Sequence, residues 1–315
     1  MIHVQNLEKN YDGKPALRGL SLTVRKGEIV ALTGLAGAGK TTAMDIIAGV
    51  AEPDRGTVEI SGLALDSETS RARQLVGYVP AEPAAPRDMS PRAYLKFLAD
   101  ARGLSSRDAS DRIDAALALL GVRDVSEKSM RRLSRGALQL VSIAQAAFFG
   151  PDALLIDEPT QGLDPREIVT LREAIREISK DRAVLLASRN LTEMCALCDR
   201  VLVLDKGRVV SEGTPDQLHN MTRAGDTVRL VLCAEEAAAR AAVAGVKDVE
   251  IKGAEPAPEG TALTVKMNGD RRAALTEAVV KAGVPLVELA AARLPLNALL
   301  ESLVSERVEG GSEEA

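Results

Sequence analysis

The most informative stretch of this chain is Gly34-Leu35-Ala36-Gly37-Ala38-Gly39-Lys40-Thr41-Thr42. It fits the pattern G-x-x-x-x-G-K-[ST], with the apolar run Ile29–Leu32 before it and a helix-like run, Thr41–Ala48, after it. In such a strand–turn–helix, glycines let backbone N–H groups converge on phosphate oxygens at the start of a helix. We therefore expect all nine residues to cradle nucleotide phosphates, with Lys40 reaching the β- and γ-phosphates and Thr41 holding Mg²⁺. The plainer interpretation is a Gly/Ala-rich turn.

A second motif carries two acids. The apolar run Ala153–Ile156 ends in Asp157 and Glu158. An apolar strand that ends in two acids is common, but together with a phosphate loop it indicates phosphoryl transfer to water. Asp157 then completes the ligands of Mg²⁺, and Glu158 is the catalytic group that orients and polarises the attacking water.

Composition excludes several classes of protein. The chain has 315 residues, a net charge of −5 and 2% aromatic residues, which argues against an electrostatic or stacking surface for nucleic acid. No apolar run approaches the roughly 18–20 residues that span a bilayer, and no export signal is visible at the start. Three cysteines cannot form a disulfide framework, which is typical of a reducing cytosol.

Strand-like and helix-like runs alternate up to about residue 213, which predicts an α/β fold with a parallel sheet. Strands are expected at Ile2–Leu7 and Leu20–Val24, and Ser90 followed by Pro91 predicts the start of a helix. Helices are also expected at Ala137–Phe149 and Pro165–Ser179.

Turn-forming residues, in the stretches EGTPDQL and TRAGD, cluster between residues 213 and 226, where a domain boundary is expected. Beyond it the order strand, helix, strand, strand, helix, strand predicts a small ferredoxin-like α+β domain. We expect a P-loop NTPase nucleotide-binding domain at 1–222 with a helical subdomain at about 82–150, and a ferredoxin-like domain at 227–305. A last helix is expected at about 295–304 and a disordered acidic tail at 306–315.

Residues 1–222 carry their motifs in the same order as the ATP-binding subunit of an ABC transporter, which they resemble. The resemblance is to the type-2 bacterial exporter class, which includes gliding-motility-type systems. Leu133-Ser134-Arg135-Gly136-Ala137 stands where this family has its LSGGQ signature, and Pro159–Pro165 resembles its D-loop. The resemblance implies that Tyr11 stacks on adenine, and that Ser134, Gly136 and Asp164 act on nucleotide in a head-to-tail dimer.

The resemblance also implies partners and a location. The family drives a membrane-spanning permease subunit, so the expected location is the cytoplasmic face of the cell membrane, held there through the permease. Residues at about 81–97 are the expected permease contact. The second ATP-binding subunit is either an identical copy or a different chain, and the transported substrate is not encoded in this sequence.

Arg135 and Ala137 depart from the signature of the family, and two further departures concern hydrolysis. Ala81 stands where the family usually has a glutamine, and Arg189 stands where it has a histidine that contacts the γ-phosphate. Loss of one such polar group typically costs about 10²–10³ in rate. Arg189 could compensate by stabilising γ-phosphate charge within its own chain, as a catalytic residue, or could point to solvent.

Three functional hypotheses remain from the sequence. The first is an ABC-type ATPase that energises an exporter by binding and hydrolysing Mg-ATP. The second is a regulatory, hydrolysis-poor subunit paired with an ATPase subunit of consensus sequence. The third is a soluble ABC ATPase acting on the ribosome or DNA, which two cassettes or a long coiled-coil insertion would favour; the sequence shows one cassette.

Overall fold

The chain divides into two units in the computed structural model, Met1–Pro215 and Asp216–Leu299. The structure describes residues 1–65, 69–82, 85–221, 223–293 and 296–300. Of the predicted last helix, residues 296–300 are helical, and its remaining parts, like the predicted tail at 306–315, lie outside the described residues. The domain limits 1–222 and 227–305 stay predictions.

The first unit is built on a mainly parallel sheet and a smaller antiparallel one. Its strands are β1 (Ile2–Tyr11), β2 (Lys14–Val24), β3 (Ile29–Thr33), β4 (Arg55–Ile60), β5 (Leu63–Ala64), β6 (Val76–Val79), β7 (Ala153–Asp157), β8 (Ala183–Ser188), β9 (Arg200–Asp205) and β10 (Arg208–Gly213). Its helices are α1 (Lys40–Ile47), α2 (Thr69–Gln74), α3 (Pro91–Ala101), α4 (Ser106–Leu119), α5 (Arg135–Ala147), α6 (Pro165–Ser179) and α7 (Leu191–Leu197). A further helix, α8 (Pro215–Met221), follows at the division between the units.

The larger sheet has the order β10-β9-β3-β8-β7-β6, and its strands are parallel except at β10. Every residue of β3, β7 and β8 is buried. Continuous apolar runs of this kind are typical of central parallel strands that are covered on both faces. The predicted α/β fold is confirmed, and the carboxyl ends of β3, β7 and β8 lie side by side at one edge.

The smaller sheet has the order β2-β1-β4-β5 and is antiparallel. Its first two strands are longer than predicted, because they continue to a tight hairpin turn at Asp12 and Gly13, which both have positive φ. Asp54 braces this end of the hairpin by accepting from the Asn10 backbone N–H at 2.7 Å and from Lys9 Nζ at 3.0 Å. The turn places Tyr11 at the tip of the first strand.

Serine side chains begin the helices between β6 and β7. Ser90 caps α3 with Pro91 as its first residue, as predicted, and Ser105 caps α4. Ser134 caps α5, so this helix begins at Arg135 rather than at the predicted Ala137. Helix α6 has the predicted limits.

The second unit is a four-stranded antiparallel sheet with the order β12-β13-β11-β14. This is the strand order of a ferredoxin-like domain, as predicted. Helices and strands share one apolar core, in which Leu230 and Val265 pack with Ala239 and Leu275. The elements are β11 (Arg223–Leu232), α9 (Glu236–Val243), β12 (Val249–Ala257), β13 (Gly260–Met267), α10 (Arg272–Lys281) and β14 (Leu286–Arg293).

Candidate nucleotide site

The turn from β3 to α1 is shaped by two glycines that admit no side chain. A Cβ on Gly34 would lie 2.2 Å from the Leu204 carbonyl oxygen, and one on Gly39 would lie 2.4 Å from the Ala16 carbonyl oxygen. Gly39 also has φ of +105°, which favours glycine. The backbone can therefore fold tightly around a cavity of about 300 Å³, lined by Ala16 and residues 37–42.

Lys40 is turned into this loop. Its ammonium donates to the carbonyl oxygens of Gly34 at 2.8 Å and Leu35 at 3.0 Å, and the residue is only 7% exposed. Burial lowers the pKa of Lys40, while the nearby carboxylates of Glu158 and Asp157 act in the opposite direction. A buried cation of this kind is stabilised by an anion, so the loop fits a phosphate.

A hydrogen bond joins the phosphate loop to the acidic strand. Thr41 Oγ1 donates to Asp157 Oδ2 at 2.7 Å, and Asp157 is almost fully buried at the end of β7. Burial raises the pKa of Asp157, and the bond from Thr41 opposes that shift. Hydroxyl and carboxylate oxygens are the ligands that Mg²⁺ prefers, so these two residues fit the metal that was predicted here.

Glu158 follows directly and is held by the end of β8. Its backbone N–H donates to the Ala187 carbonyl oxygen at 2.7 Å, and its φ of +48° is unusual for a residue with a side chain. Ser188 Oγ donates to Glu158 Oε2 at 2.9 Å, and the Arg189 backbone N–H donates to Oε1 at 3.2 Å. The neighbouring parallel strand β8 thus holds the Glu158 carboxylate at the end of β7. It lies there next to Asp157, which bonds to Thr41 of the phosphate loop.

Arg189 and Ala81 are the two departures from the family pattern that were expected to affect hydrolysis. The Arg189 Nε lies 3.5 Å from Glu158 Oε1, although the side chain is 62% exposed. The guanidinium is therefore paired with the carboxylate, and its charge also contributes to lowering the pKa of Lys40. Ala81 is half-buried after β6 and offers no polar side-chain atom.

The start of α5, which holds the signature residues, packs on the segment after β7. Ser134 Oγ accepts from the Ala137 N–H at 3.0 Å. A Cβ on Gly136 would lie 2.3 Å from Glu167 Oε2 and 2.7 Å from the Gly162 carbonyl oxygen, so this position admits only glycine. In the part of the chain that the structure describes, no hydrogen bond joins Ser134 or Gly136 to the phosphate loop.

Asp164 serves a local purpose in this structure. Its side chain caps α6 by accepting from the Arg166 and Glu167 N–H groups. The Glu167 carboxylate in turn accepts from the Asp164 N–H. Tyr11 is 48% exposed, with Lys9 Nζ 5.5 Å from its ring centroid. A planar base could stack on that exposed ring. The nucleotide roles predicted for both residues stay predictions.

Two residues of this site were missing from the sequence interpretation. Ser188 could have been suspected because it directly precedes Arg189 at the end of an apolar strand. Gln139 is a buried amide between two leucines of α5, and its Nε2 donates to the Glu158 carbonyl oxygen at 3.4 Å. A polar side chain inside an apolar helical run was the available signal for Gln139.

Among the described residues, no helix is long and apolar enough to cross a membrane.

The chain is similar to known ATP-binding proteins. A family model described as "ABC transporter" matches residues 17–161. The daunorubicin resistance ATP-binding protein DrrA3 of Streptomyces coeruleorubidus is 34% identical over 232 residues, which are 73% of this chain and 73% of that protein. The Nod factor export ATP-binding protein I of Burkholderia orbicola is 34% identical over 218 residues, 69% of this chain and 72% of that protein. A solved structure of an ATP-binding subunit of an ABC transporter is 32% identical, with a TM-score of 0.64 over 70% of this chain and 92% of that one.

Proposed function

Because this chain belongs to the family of ABC transporter ATP-binding proteins, we propose that it energises a membrane exporter by binding Mg-ATP, dimerising head to tail and hydrolysing the nucleotide. The chain is the ATP-binding subunit of an ABC transporter and an ABC-type ATPase. Subunits of this family dimerise and pair with membrane permease subunits. The exporter class rests on relatives whose names describe export and drug resistance.

The observation that carries this proposal is the bond between Thr41 and Asp157. It brings the end of the phosphate loop to the end of β7, and Glu158 stands at the next position. A phosphate-binding turn, a pair of oxygen ligands for a divalent cation and a carboxylate base are then neighbours at one sheet edge. That combination suits phosphoryl transfer to water.

In the proposed reaction Lys40 leaves its carbonyl partners and places its charge on the β- and γ-phosphates. Thr41 and Asp157 would hold Mg²⁺, which when bound supplies positive charge to the phosphate oxygens. Glu158 accepts a proton from the attacking water while the water oxygen bonds to the γ-phosphorus and the bond to ADP breaks. Ser188 and the Arg189 N–H keep the carboxylate oriented.

Other roles come from the family resemblance. Tyr11 is proposed to stack on adenine, and Ser134 and Gly136 to act on nucleotide held by the partner subunit, with Asp164 at that interface. Residues at about 81–97 are the proposed permease contact, which would hold the chain at the cytoplasmic face of the membrane. The partner ATP-binding subunit is proposed to be a second copy or a related chain.

A regulatory subunit is the second candidate function, and Ala81 and Arg189 favour it. Ala81 lacks a polar side-chain group, and Arg189 pairs its charge with the Glu158 carboxylate at 3.5 Å. Such a subunit would bind ATP and dimerise while a partner of consensus sequence performs most of the hydrolysis. Turnover that appears only on mixing with such a partner supports this second function.

The test compares phosphate release by the purified chain with that of Glu158→Gln. Turnover should fall strongly in Glu158→Gln and should be unchanged in the control Glu173→Gln, which alters an exposed glutamate on α6. ATP binding measured by calorimetry should persist in both variants. Equal turnover in all three proteins would contradict the assignment of Glu158, and absent binding would contradict the nucleotide site.

A further inference from the structure

We propose that Gln139 is a positioning residue for Glu158, and that it couples the signature helix α5 to the base of the same subunit. This inference rests on the proposed function, because it requires Glu158 to be the base. Gln139 touches neither nucleotide nor water in the proposed reaction, so it acts through the backbone of Glu158.

Gln139 is a buried amide that bonds across to another element. It is 3% exposed, and its Nε2 donates to the Glu158 carbonyl oxygen at 3.4 Å. Buried polar side chains are retained where a partner satisfies them. Ser142 on the same helix is also buried, but its hydroxyl donates to the Leu138 carbonyl oxygen of its own helix at 2.9 Å. Gln139 therefore bonds to a different element of the fold, whereas Ser142 bonds to its own helix.

The backbone that receives this bond is in an unusual conformation. Glu158 has φ of +48°, and a side chain in the left-handed region points where it does only while the surrounding bonds hold the backbone there. One of these bonds comes from β8, where Ala187 accepts from the Glu158 N–H. The Glu158 carbonyl oxygen accepts from the Gln161 N–H at 3.1 Å and from Gln139. Gln139 supplies the tie from the side of α5.

Helix α5 also packs closely against the segment after β7 at Gly136, one turn before Gln139, and this packing restricts movement between the two. A Cβ on Gly136 would overlap Glu167 and the Gly162 carbonyl oxygen, so helix and segment are already at their closest approach. Helix α5 thus meets the segment 158–167 at Gly136 and again at Gln139. A displacement of the start of α5, where the signature residues lie, is transmitted to the backbone of Glu158.

The test replaces Gln139 by methionine, which keeps the length and packing of the side chain but donates no hydrogen bond. We expect kcat to fall about 10-fold or more, while KM and the nucleotide dissociation constant change by less than about two-fold, because orientation of the base matters in the transition state. Ser142→Ala is the matched control and should leave kcat unchanged.

A double-mutant cycle separates positioning from general structural damage. In the Glu158→Gln background, Gln139→Met should cause no further loss, because its effect passes through Glu158. If thermal melting shows that Gln139→Met does not fold, Gln139→Asn, which retracts the amide by one methylene, is measured with the same expectations.

Two results would overturn the proposal. One is a folded Gln139 variant with the kcat of Ser142→Ala; the other is an undiminished loss in the Glu158→Gln background. Failure of the proposed function looks different, since Glu158→Gln itself would then leave turnover unchanged.

Discussion

Replacing Ser188 by alanine tests how the carboxylate of Glu158 is held. Ser188 is fully buried, and its hydroxyl both donates to Glu158 Oε2 at 2.9 Å and accepts from the Asn190 N–H at 3.2 Å. A hydrogen bond to a charged group contributes about 1.5–3 kcal/mol, and the second bond about 1 kcal/mol. Because water can satisfy part of what is lost, we expect a destabilisation of about 2 kcal/mol, or roughly 4–8 °C in melting temperature.

The loss of kcat in Ser188→Ala should be smaller than the loss caused by removing the Glu158 carboxylate. The Arg189 N–H still holds the other carboxylate oxygen, so the group is loosened rather than removed. We expect kcat to fall about 10-fold, which corresponds to about 1.4 kcal/mol, with the ATP dissociation constant unchanged.

Phosphate release at saturating ATP, nucleotide titration and thermal melting measure the three quantities. Ser179→Ala is the control, since that buried hydroxyl donates to the Arg176 carbonyl oxygen of its own helix. A folded Ser188→Ala protein with the wild-type kcat would refute the idea that the end of β8 orients the base.

Four further predictions concern the nucleotide site. Lys40→Ala should abolish ATP binding in calorimetry, since the loop loses its buried cation; retained affinity would refute the phosphate-loop assignment. Tyr11→Ala should weaken ATP about 10-fold in a fluorescence titration, whereas Tyr11→Phe should not, because stacking needs only the ring. Ala81→Gln combined with Arg189→His should raise kcat about 10-fold at unchanged ATP affinity, and loss of activity in Arg189→His alone would show that the arginine is catalytic. Asp157→Asn should raise the melting temperature of the nucleotide-free protein at neutral pH. Burial raises the pKa of this carboxyl in the folded state, so its ionised form costs stability as pH rises above about 4. Melts at low and neutral pH should show the gain at neutral pH only, and a lower melting temperature there would contradict it.

The phosphate loop and the acidic strand were predictable because their signals are local. Glycine spacing before Lys40 fixes a turn that few other structures need, and the apolar run before Asp157 has the composition of a buried parallel strand. The serine cap and proline at Ser90 and Pro91 likewise act within a single helical turn. In each case the residues that form the structure are adjacent in the sequence.

The remaining features depend on contacts between distant residues. The longer hairpin of β1 and β2 is braced by Asp54, more than forty positions from Asn10. The bonds from Ser188 and Gln139 to Glu158 join residues that are 30 and 19 positions apart. The positive φ of Glu158 accompanies backbone bonds to Ala187 and Gln139, which are distant in the sequence. Tertiary contacts of this kind leave no periodic pattern in the sequence.

Arg135 and Gly162 limit which substitutions this chain can accept. A Cβ at position 162 would lie 2.9 Å from Cγ of Arg135, and Gly162 has φ of +80°. The long arginine stem occupies the space that a side chain at 162 would need. A side chain at position 162 would therefore need both a strained backbone and a displaced Arg135, so the two positions cannot vary independently.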